Sequence, residues 1–343
     1  MPLQTQMGVV NEATYGTPVT VTRFVEFDME GIKPEMSVIE PKVARTITRL
    51  PRYDRFVRGI YGHAGPIKFP VMTKGFGIWL THMTGSTPTT TGPTDSTYSH
   101  VADVGSLCGD SFTLQVNRPY GVCALVDTPF TYAGGKLADW QLSCTNGDDG
   151  VVMFEGNALF ASGESSTALA SASYAAGMEF LPWGASDVVV GGLALPVYNW
   201  SVKCDNGLKA DRKMLRNSWA RREPVENTLR TITVEFEIDL EAYVDGTPAS
   251  TVGFLRKAMQ TNGLAAIATD AYETVVITSR GPTLAGATTY PSLAISMGAV
   301  RFDDPWNNVD GPEASTLKVT GKALVPASGD QCKLTYVTTD TLP

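Results

Sequence analysis

The chain has 343 residues, 43% hydrophobic and 18% charged, with a formal net charge of −8. That composition is globular, with room for two ordinary domains. It excludes a disordered chain, and the acidic balance excludes a general nucleic-acid binder, whose phosphate contacts need a basic surface. The 33 glycines and 21 prolines, among many Thr and Val, predict short strands joined by turns.

Met1 to Asn11 lacks a basic flank and an apolar run, so no signal peptide is expected and folding is expected in a cytoplasm. A loop is predicted from Gly8 to Pro18, followed by a strand from Val19 to Met29, with Phe27 and Met29 on one side and Glu26, Asp28 and Glu30 on the other. The chain then enters a basic arm, Lys33 to Arg58, in which Lys42, Arg45, Arg49, Arg52, Arg55 and Arg58 recur every three or four residues. Ile67, Phe69 and Val71 alternate with Lys68, Pro70 and Met72 as a second strand, whose Pro favours an edge or strand end. Gly75 to Met83 places Phe76, Trp79, Leu80 and Met83 on one helical face. Gly85 to Asp103 is rich in Thr, Ser, Pro and Gly and reads as a surface loop. A strand at Phe112–Val116 and a hairpin follow, its arms at Leu137–Cys144 and Val151–Phe160 around Gly147-Asp148-Asp149-Gly150.

After a Ser/Ala-rich stretch the plan recurs. An alternating strand (Tyr198, Trp200, Val202) runs into a second basic arm, Lys203 to Arg222, with Lys209, Arg212, Lys213, Arg216, Arg221 and Arg222. A strand, Val234 to Glu241, comes next, then a helix from Ser250 to Met259, capped by Ser250 or Thr251 and ended by Gly263. Strands at Thr274–Thr278, Ser292–Arg301 and Ser315–Leu324 match those at Phe112, Trp140 and Val151. The expected organisation is therefore mainly β, in two tandem homologous β-sandwich or barrel domains, each with one short helix and a long basic arm. The domains are residues 1–163 and 178–343, with a linker at 164–177. The two arms hold fourteen of the 27 basic residues and five of the 35 acidic ones, so an acidic body carries two basic arms that seek an acidic surface, most simply another copy of the chain.

Little points to chemistry. Cys108, Cys123, Cys144, Cys204 and Cys332 are widely spaced and odd in number, and His63, His82 and His100 have no second ligand nearby, so no metal, cofactor or disulfide is expected. Nucleotide-binding and nucleophile-elbow motifs are absent. Glu235, Glu237, Asp239 and Glu241 alternate with Val234, Phe236, Ile238 and Leu240, placing four carboxylates on one strand face about 6.5–7 Å apart. Two carboxylates at such a distance could serve a glycosidase, but an open row supplies no apolar pocket to keep one protonated. The same row suits a solvated strand face, an acidic pore lining or a seat for a basic arm.

Several short motifs carry a resemblance to a family. Gly8, Glu12, Tyr15-Gly16-Thr17-Pro18 and Phe24 to Glu30, then Tyr132-Ala133-Gly134-Gly135-Lys136, Trp140 to Leu142 and Asp149-Gly150, and then Gly191-Gly192-Leu193 before Asn206-Gly207-Leu208 resemble the tail tube (major tail) protein of long-tailed bacteriophages in its two-domain form. The resemblance spans nearly the whole chain, though the Tyr-Ala-Gly-Gly signal does not recur in the second half. It implies a non-enzymatic structural subunit of the virion tail, assembled in the host bacterial cytoplasm. The expected assembly is a homotrimeric, pseudo-sixfold ring, stacked into a hollow tube through which double-stranded DNA passes without specific binding. The further partners it implies are tape measure, tail terminator and tail tip or baseplate proteins, with no membrane insertion by this chain. The twelve arm residues would bridge subunits or rings and order on assembly, while Glu26, Asp28, Glu30, Glu235, Glu237, Asp239 and Glu241 would face the lumen or dock an arm. The alternatives are a tandem carbohydrate-binding module, with Trp79, Trp140, Trp183, Trp200, Trp219 or Trp306 as stacking platforms, and a carboxylate-based glycoside hydrolase.

Overall fold

The computed structural model describes residues 4–40, 50, 52–121, 125–147, 150–212, 214–215, 218–239, 261–262, 265–266, 272–284, 288–303 and 316–343. The fold is mainly β, with one α-helix among the described residues. The first half holds β1 (Met7–Glu12), β2 (Arg23–Val25), β3 (Met29–Glu30), β4 (Lys33–Ile39), β5 (Val57–Pro70), helix α1 (Gly77–Thr84), β6 (Thr89–Thr94), β7 (Thr97–Asp103), β8 (Ser111–Asn117), β9 (Pro129–Thr145), β10 (Met153–Phe160) and β11 (Ser162–Glu164). A single 3-10 turn, Trp183–Ala185, precedes β12 (Ser186–Val190), β13 (Leu193–Leu195), β14 (Val197–Asp205), β15 (Leu208–Lys209), β16 (Val225–Glu226) and β17 (Thr231–Asp239). The chain closes with β18 (Thr261–Asn262), β19 (Ala265–Ala266), β20 (Tyr272–Arg280), β21 (Ser292–Asp303), β22 (Thr316–Ala323) and β23 (Cys332–Thr338).

Nineteen strands share one antiparallel hydrogen-bonded network. In the first half the strands pair in the order β2-β1-β8-β9-β10-β5, with β3 and β4 on the far edge of β5 and β11 beside the first part of β9. In the second half the order is β13-β12-β20-β21-β22-β17-β14, with β23 beside the first part of β21. The halves meet along two seams, β9 with β14 and β7 with β23. No break in the sheet marks the boundary read from the sequence. The stretch read as a linker is strapped to the first half, through Gln6 Nε2 to the Ala170 carbonyl at 2.7 Å, Gln115 to Ala168 and Ala170, and Lys74 Nζ to the Ala176 carbonyl at 2.6 Å.

Helix α1 explains why the first half closes. One apolar face was expected, but every residue from Gly77 to Thr84 except Thr81 is buried, so the helix lies inside the fold rather than on it. Trp79 is the centre of an aromatic cluster in which Phe69 of β5, Phe112 of β8 and Phe154 of β10 stand 5.2, 5.4 and 5.5 Å from its ring. His82 Nε2–H donates to Asn11 Oδ1 at 2.8 Å, and desolvation, with the Lys136 cation adding to it, pushes the imidazole down to about 3, so it is a neutral core residue. Gly85 ends the helix at φ 78°, its N–H on the Thr81 carbonyl at 2.7 Å; a Cβ there would come within 2.7 Å of the Ser106 carbonyl carbon.

Glu12 ties two separated motifs together. Its buried carboxylate accepts the Gly16 and Gly134 backbone N–H groups at 2.9 and 2.8 Å, and the Ser111 and Thr113 hydroxyls at 2.7 Å each. Gly134, at φ 70°, lets the chain pass so closely that a Cβ would sit 2.7 Å from Ala161 Cβ and 3.0 Å from Tyr15 Cζ. The Tyr15-Gly16 and Tyr132–Gly135 motifs are thus two sides of one buried contact.

Several expectations change. The Gly8–Pro18 segment is not all loop, because Met7–Glu12 pairs with both β2 and β8. The expected Val19–Met29 strand is only Arg23–Val25 and Met29–Glu30. The polar Gly85–Asp103 stretch is a hairpin, β6 with β7, which Thr favours by its branched Cβ. Its inward side buries His100 and Ala102, the former bonded to Thr90 at 2.8 Å and the Asp340 carbonyl at 3.0 Å. The helix expected at Ser250–Met259 lies outside the described residues.

Candidate assembly surfaces

The two arms differ. In the first, Lys42, Arg45 and Arg49 lie outside the described residues. Arg52 holds Asp54 through two bonds at 2.9 and 3.1 Å, and Arg55 and Arg58 are exposed. Around them, Met36, Val38, Ile39, Tyr53, Phe56 and Val57 are also exposed. These apolar side chains are concentrated at the distal end of the β4–β5 hairpin, and such a concentration marks a contact surface.

The second arm is seated on its own chain through Arg212 and Arg221. Its return segment bridges to β5, with Tyr61 N–H on the Trp219 carbonyl at 2.9 Å and Arg221 N–H on the Tyr61 carbonyl at 3.0 Å. Arg221 also pairs with Glu35, and Arg212 donates to the Glu223 carbonyl at 2.8 Å. Glu223 then reaches the fully buried Lys136 Nζ at 2.7 Å, and it accepts the Gly109 N–H at 2.8 Å. Arg230 donates to Thr84 at the end of α1. Lys209 and Arg222 remain exposed, while Lys213 and Arg216 lie outside the described residues. Two ion pairs thus tie this segment to the first half, Arg221 with Glu35 and Glu223 with Lys136.

The acidic row is less open than its spacing predicts. Directly opposed residues in antiparallel strands point to the same side, and one such row crosses six strands as Lys68, Glu155, Gln141, Lys203, Thr233 and Lys322. A parallel row contains Ser143, Ser201, Glu235 and Thr320. Glu235 stands between Lys318 at 3.3 Å and Lys203 at 3.7 Å, and Glu237 accepts from Asn199 at 2.8 Å. The side chain of Asp239, and Glu241 altogether, lie outside what is described. The face is polar and mixed in sign rather than an unbroken carboxylate wall.

Glu30 is on the other face. It pairs across from Ile67, which is fully buried, so the parity of the strand turns it inward. There it takes Arg118 in a fork at 2.5 and 3.0 Å and caps the Ile32 N–H. Its assignment to a channel wall is therefore corrected. Glu26 is exposed, and Asp28 is exposed beside Lys68 at 3.5 Å.

Neither Glu235 nor Glu237 sits in an apolar pocket. Trp79, Trp140 and Trp200 are buried core residues, and only Trp183 and Trp219 are exposed among the described tryptophans. Among the described residues no group of three or more His, Cys, Asp and Glu converges on a point. Cys144, Cys204 and Cys332 are buried free thiols, and burial pushes the last two up to about 12. Sequence reasoning missed Lys136 and Glu223, whose pairing spans 87 positions and has no local signature. Compared with known proteins, the chain matched no protein-family model, and a search of the curated proteins gave no match.

Proposed function

We propose that the protein is a tail tube subunit of a long-tailed bacteriophage, built from two copies of one β-sandwich tail-tube domain. Three chains form a pseudo-sixfold ring, and stacked rings form the conduit for double-stranded DNA. The observation that carries this reading is the strand order, which is the same in both halves, with the second half hydrogen-bonded to the edge of the first. One chain thus already holds a unit–unit junction of the kind that, repeated around an axis, makes a closed array.

The polar face running from Lys68 to Lys322 is the side we assign to the bore. A strongly basic bore would hold DNA through counterion release. A face in which Glu155, Glu235 and Glu237 alternate with Lys203 and Lys318 offers phosphates no continuous cation track. The first arm and its exposed apolar neighbours would contact other subunits, and tape measure, terminator and tip proteins would meet the tube ends in the virion tail.

Electron microscopy of concentrated protein tests the class. Rings or tubes of uniform diameter are expected. A chain that stays monomeric under every assembly condition, with the other tail proteins present, overturns the reading.

A further inference from the structure

We infer that the return segment of the second arm is a brace that fixes the direction in which the β4–β5 ribbon leaves the body, so that the second half of the chain sets the aim of the first half's arm. This role does not depend on what the ribbon touches, and so stands apart from the tube reading.

The ribbon needs outside support. Among the described residues β4 pairs only with β5, and Met36, Val38, Ile39 and Val57 are exposed, so these side chains give it no packed footing. A ribbon of two strands is marginal on its own, and its twist is larger than that of a wide sheet. Strand β10 supports β5 only as far as His63, opposite Phe160. Just beyond, Met36 faces Tyr61 and Val38 faces Arg58, so Gly59 and Ile60 together oppose Ser37. Such a bulge bends the strand that carries it. The direction of the ribbon is therefore decided within a few residues of Tyr61.

The second arm grips it there. On β5 it takes the place that β10 leaves: the Tyr61 backbone donates to the Trp219 carbonyl at 2.9 Å and accepts the Arg221 N–H at 3.0 Å, a parallel bridge centred on Ala220. The Arg221 side chain then crosses Gly62 to pair with Glu35 on β4, and it donates to the His63 carbonyl at 3.3 Å. Gly62 permits the crossing, because a Cβ there would stand 2.9 Å from Arg221 Nε and from the Phe160 carbonyl oxygen. Both strands of the ribbon are thus held just before the bulge.

The grip is itself anchored to the body. Glu223 holds Lys136 and the Gly109 N–H, Glu226 accepts the Ser106 hydroxyl at 3.3 Å, and Arg230, paired with Glu226 at 2.8 Å, reaches the Thr84 carbonyl at the end of α1. The route is long for its topology. Asp205 of β14 and Thr231 of β17 face each other in neighbouring antiparallel strands, which a two-residue turn can join, yet residues 206–230 run out to the ribbon and back.

The test uses the full chain, unassembled, with spin labels on p-acetylphenylalanine in place of Val38 on the ribbon and Glu155 on β10, and reads their separation by double electron–electron resonance. A single narrow distance is expected for the otherwise unchanged chain. Glu35→Ala removes an ion pair whose carboxylate is half exposed, so the fold should survive while the distance distribution broadens. Arg221→Pro also removes the N–H bonded to Tyr61 and should broaden it further. Near-UV circular dichroism checks folding, and if Arg221→Pro does not fold, Glu35→Ala decides alone. A distance already broad before either change, or one that Glu35→Ala leaves as narrow as before, overturns the inference.

Discussion

Lys136 offers the sharpest test of how the second arm is held. Its side chain is 1% exposed, while Glu223, its partner at 2.7 Å, is 25% exposed. The Leu107 carbonyl supplies the second acceptor. Removing one member of a buried pair costs about 3–5 kcal/mol because the other charge stays behind unpaired. Glu223 is partly wetted and Leu107 remains, so Glu223→Ala should cost about 2–3 kcal/mol. Lys136→Met removes the buried charge itself and leaves a carboxylate that can reach water, so about 0–1 kcal/mol is expected. Urea titration followed by tryptophan fluorescence, with unchanged m-value, reads both numbers. The pH dependence supplies a second check. Burial alone raises the Glu223 carboxyl, but hydrogen bonds from Lys136 and the Gly109 N–H, with the charge of Lys136, outweigh it and hold it below its ordinary 4.5. A depressed folded value contributes stability that is present above the unfolded value and lost as pH falls through the folded one. The gap between wild type and Glu223→Ala should therefore be flat near neutrality and narrow as pH falls below about 4.5. A Lys136→Met variant at least as unstable as Glu223→Ala, or a gap that does not narrow in acid, would refute the reasoning.

Glu12→Gln leaves one oxygen to serve four donors, and a loss of about 2–4 kcal/mol is expected in the same titration; a neutral variant would mean the two glycine motifs do not depend on it. Glu235→Gln with Glu237→Gln should change stability by no more than about 1 kcal/mol, since Glu235 meets two exposed lysines. If their face lines the bore, these variants should form normal tubes and slow DNA ejection most at low salt, where screening is weakest; unchanged ejection at every salt concentration would move the face away from DNA. Replacing Arg45, Arg49, Arg52 and Arg55 by Ser should leave the melting curve of the free chain unchanged and abolish tubes. Parallel loss of melting temperature and assembly would make the arm part of the core.

The sequence made the long alternating strands legible. Phe112–Val116, Val151–Phe160 and Ser292–Arg301 each appear within a few residues of their expected bounds, whereas the strand expected at Leu137–Cys144 begins eight residues earlier, at Pro129; β10 shows the period two that burial of one face imposes. The β6–β7 hairpin was hidden by its Thr, Gly and Pro content, which reads as loop until β23 arrives to pair with β7. That strand itself, Cys332–Thr338, alternates clearly, with Cys332, Leu334 and Tyr336 buried. Its pairing with β7 lies more than two hundred positions away, beyond any local signal. Glu30 shows the complementary failure. Its alternation with Met29 was readable, but which side faced the core depended on its register against Ile67, and a strand's register is set by its partner. The second arm was readable as a charged segment, whereas its seat on Tyr61, Glu35 and Lys136 required the other half of the chain.

On the proposed reading one chain supplies two equivalent units to a closed tube, with the face of Glu155, Lys203 and Glu235 toward the bore. Cryo-electron microscopy of assembled tubes, reconstructed without imposed symmetry, addresses it most directly. Three chains per ring are expected, with near-sixfold density and the β5-β10-β9-β14-β17-β22 face lining the channel. A ring in which the two halves occupy unrelated radii, or in which that face points outward, would contradict the account.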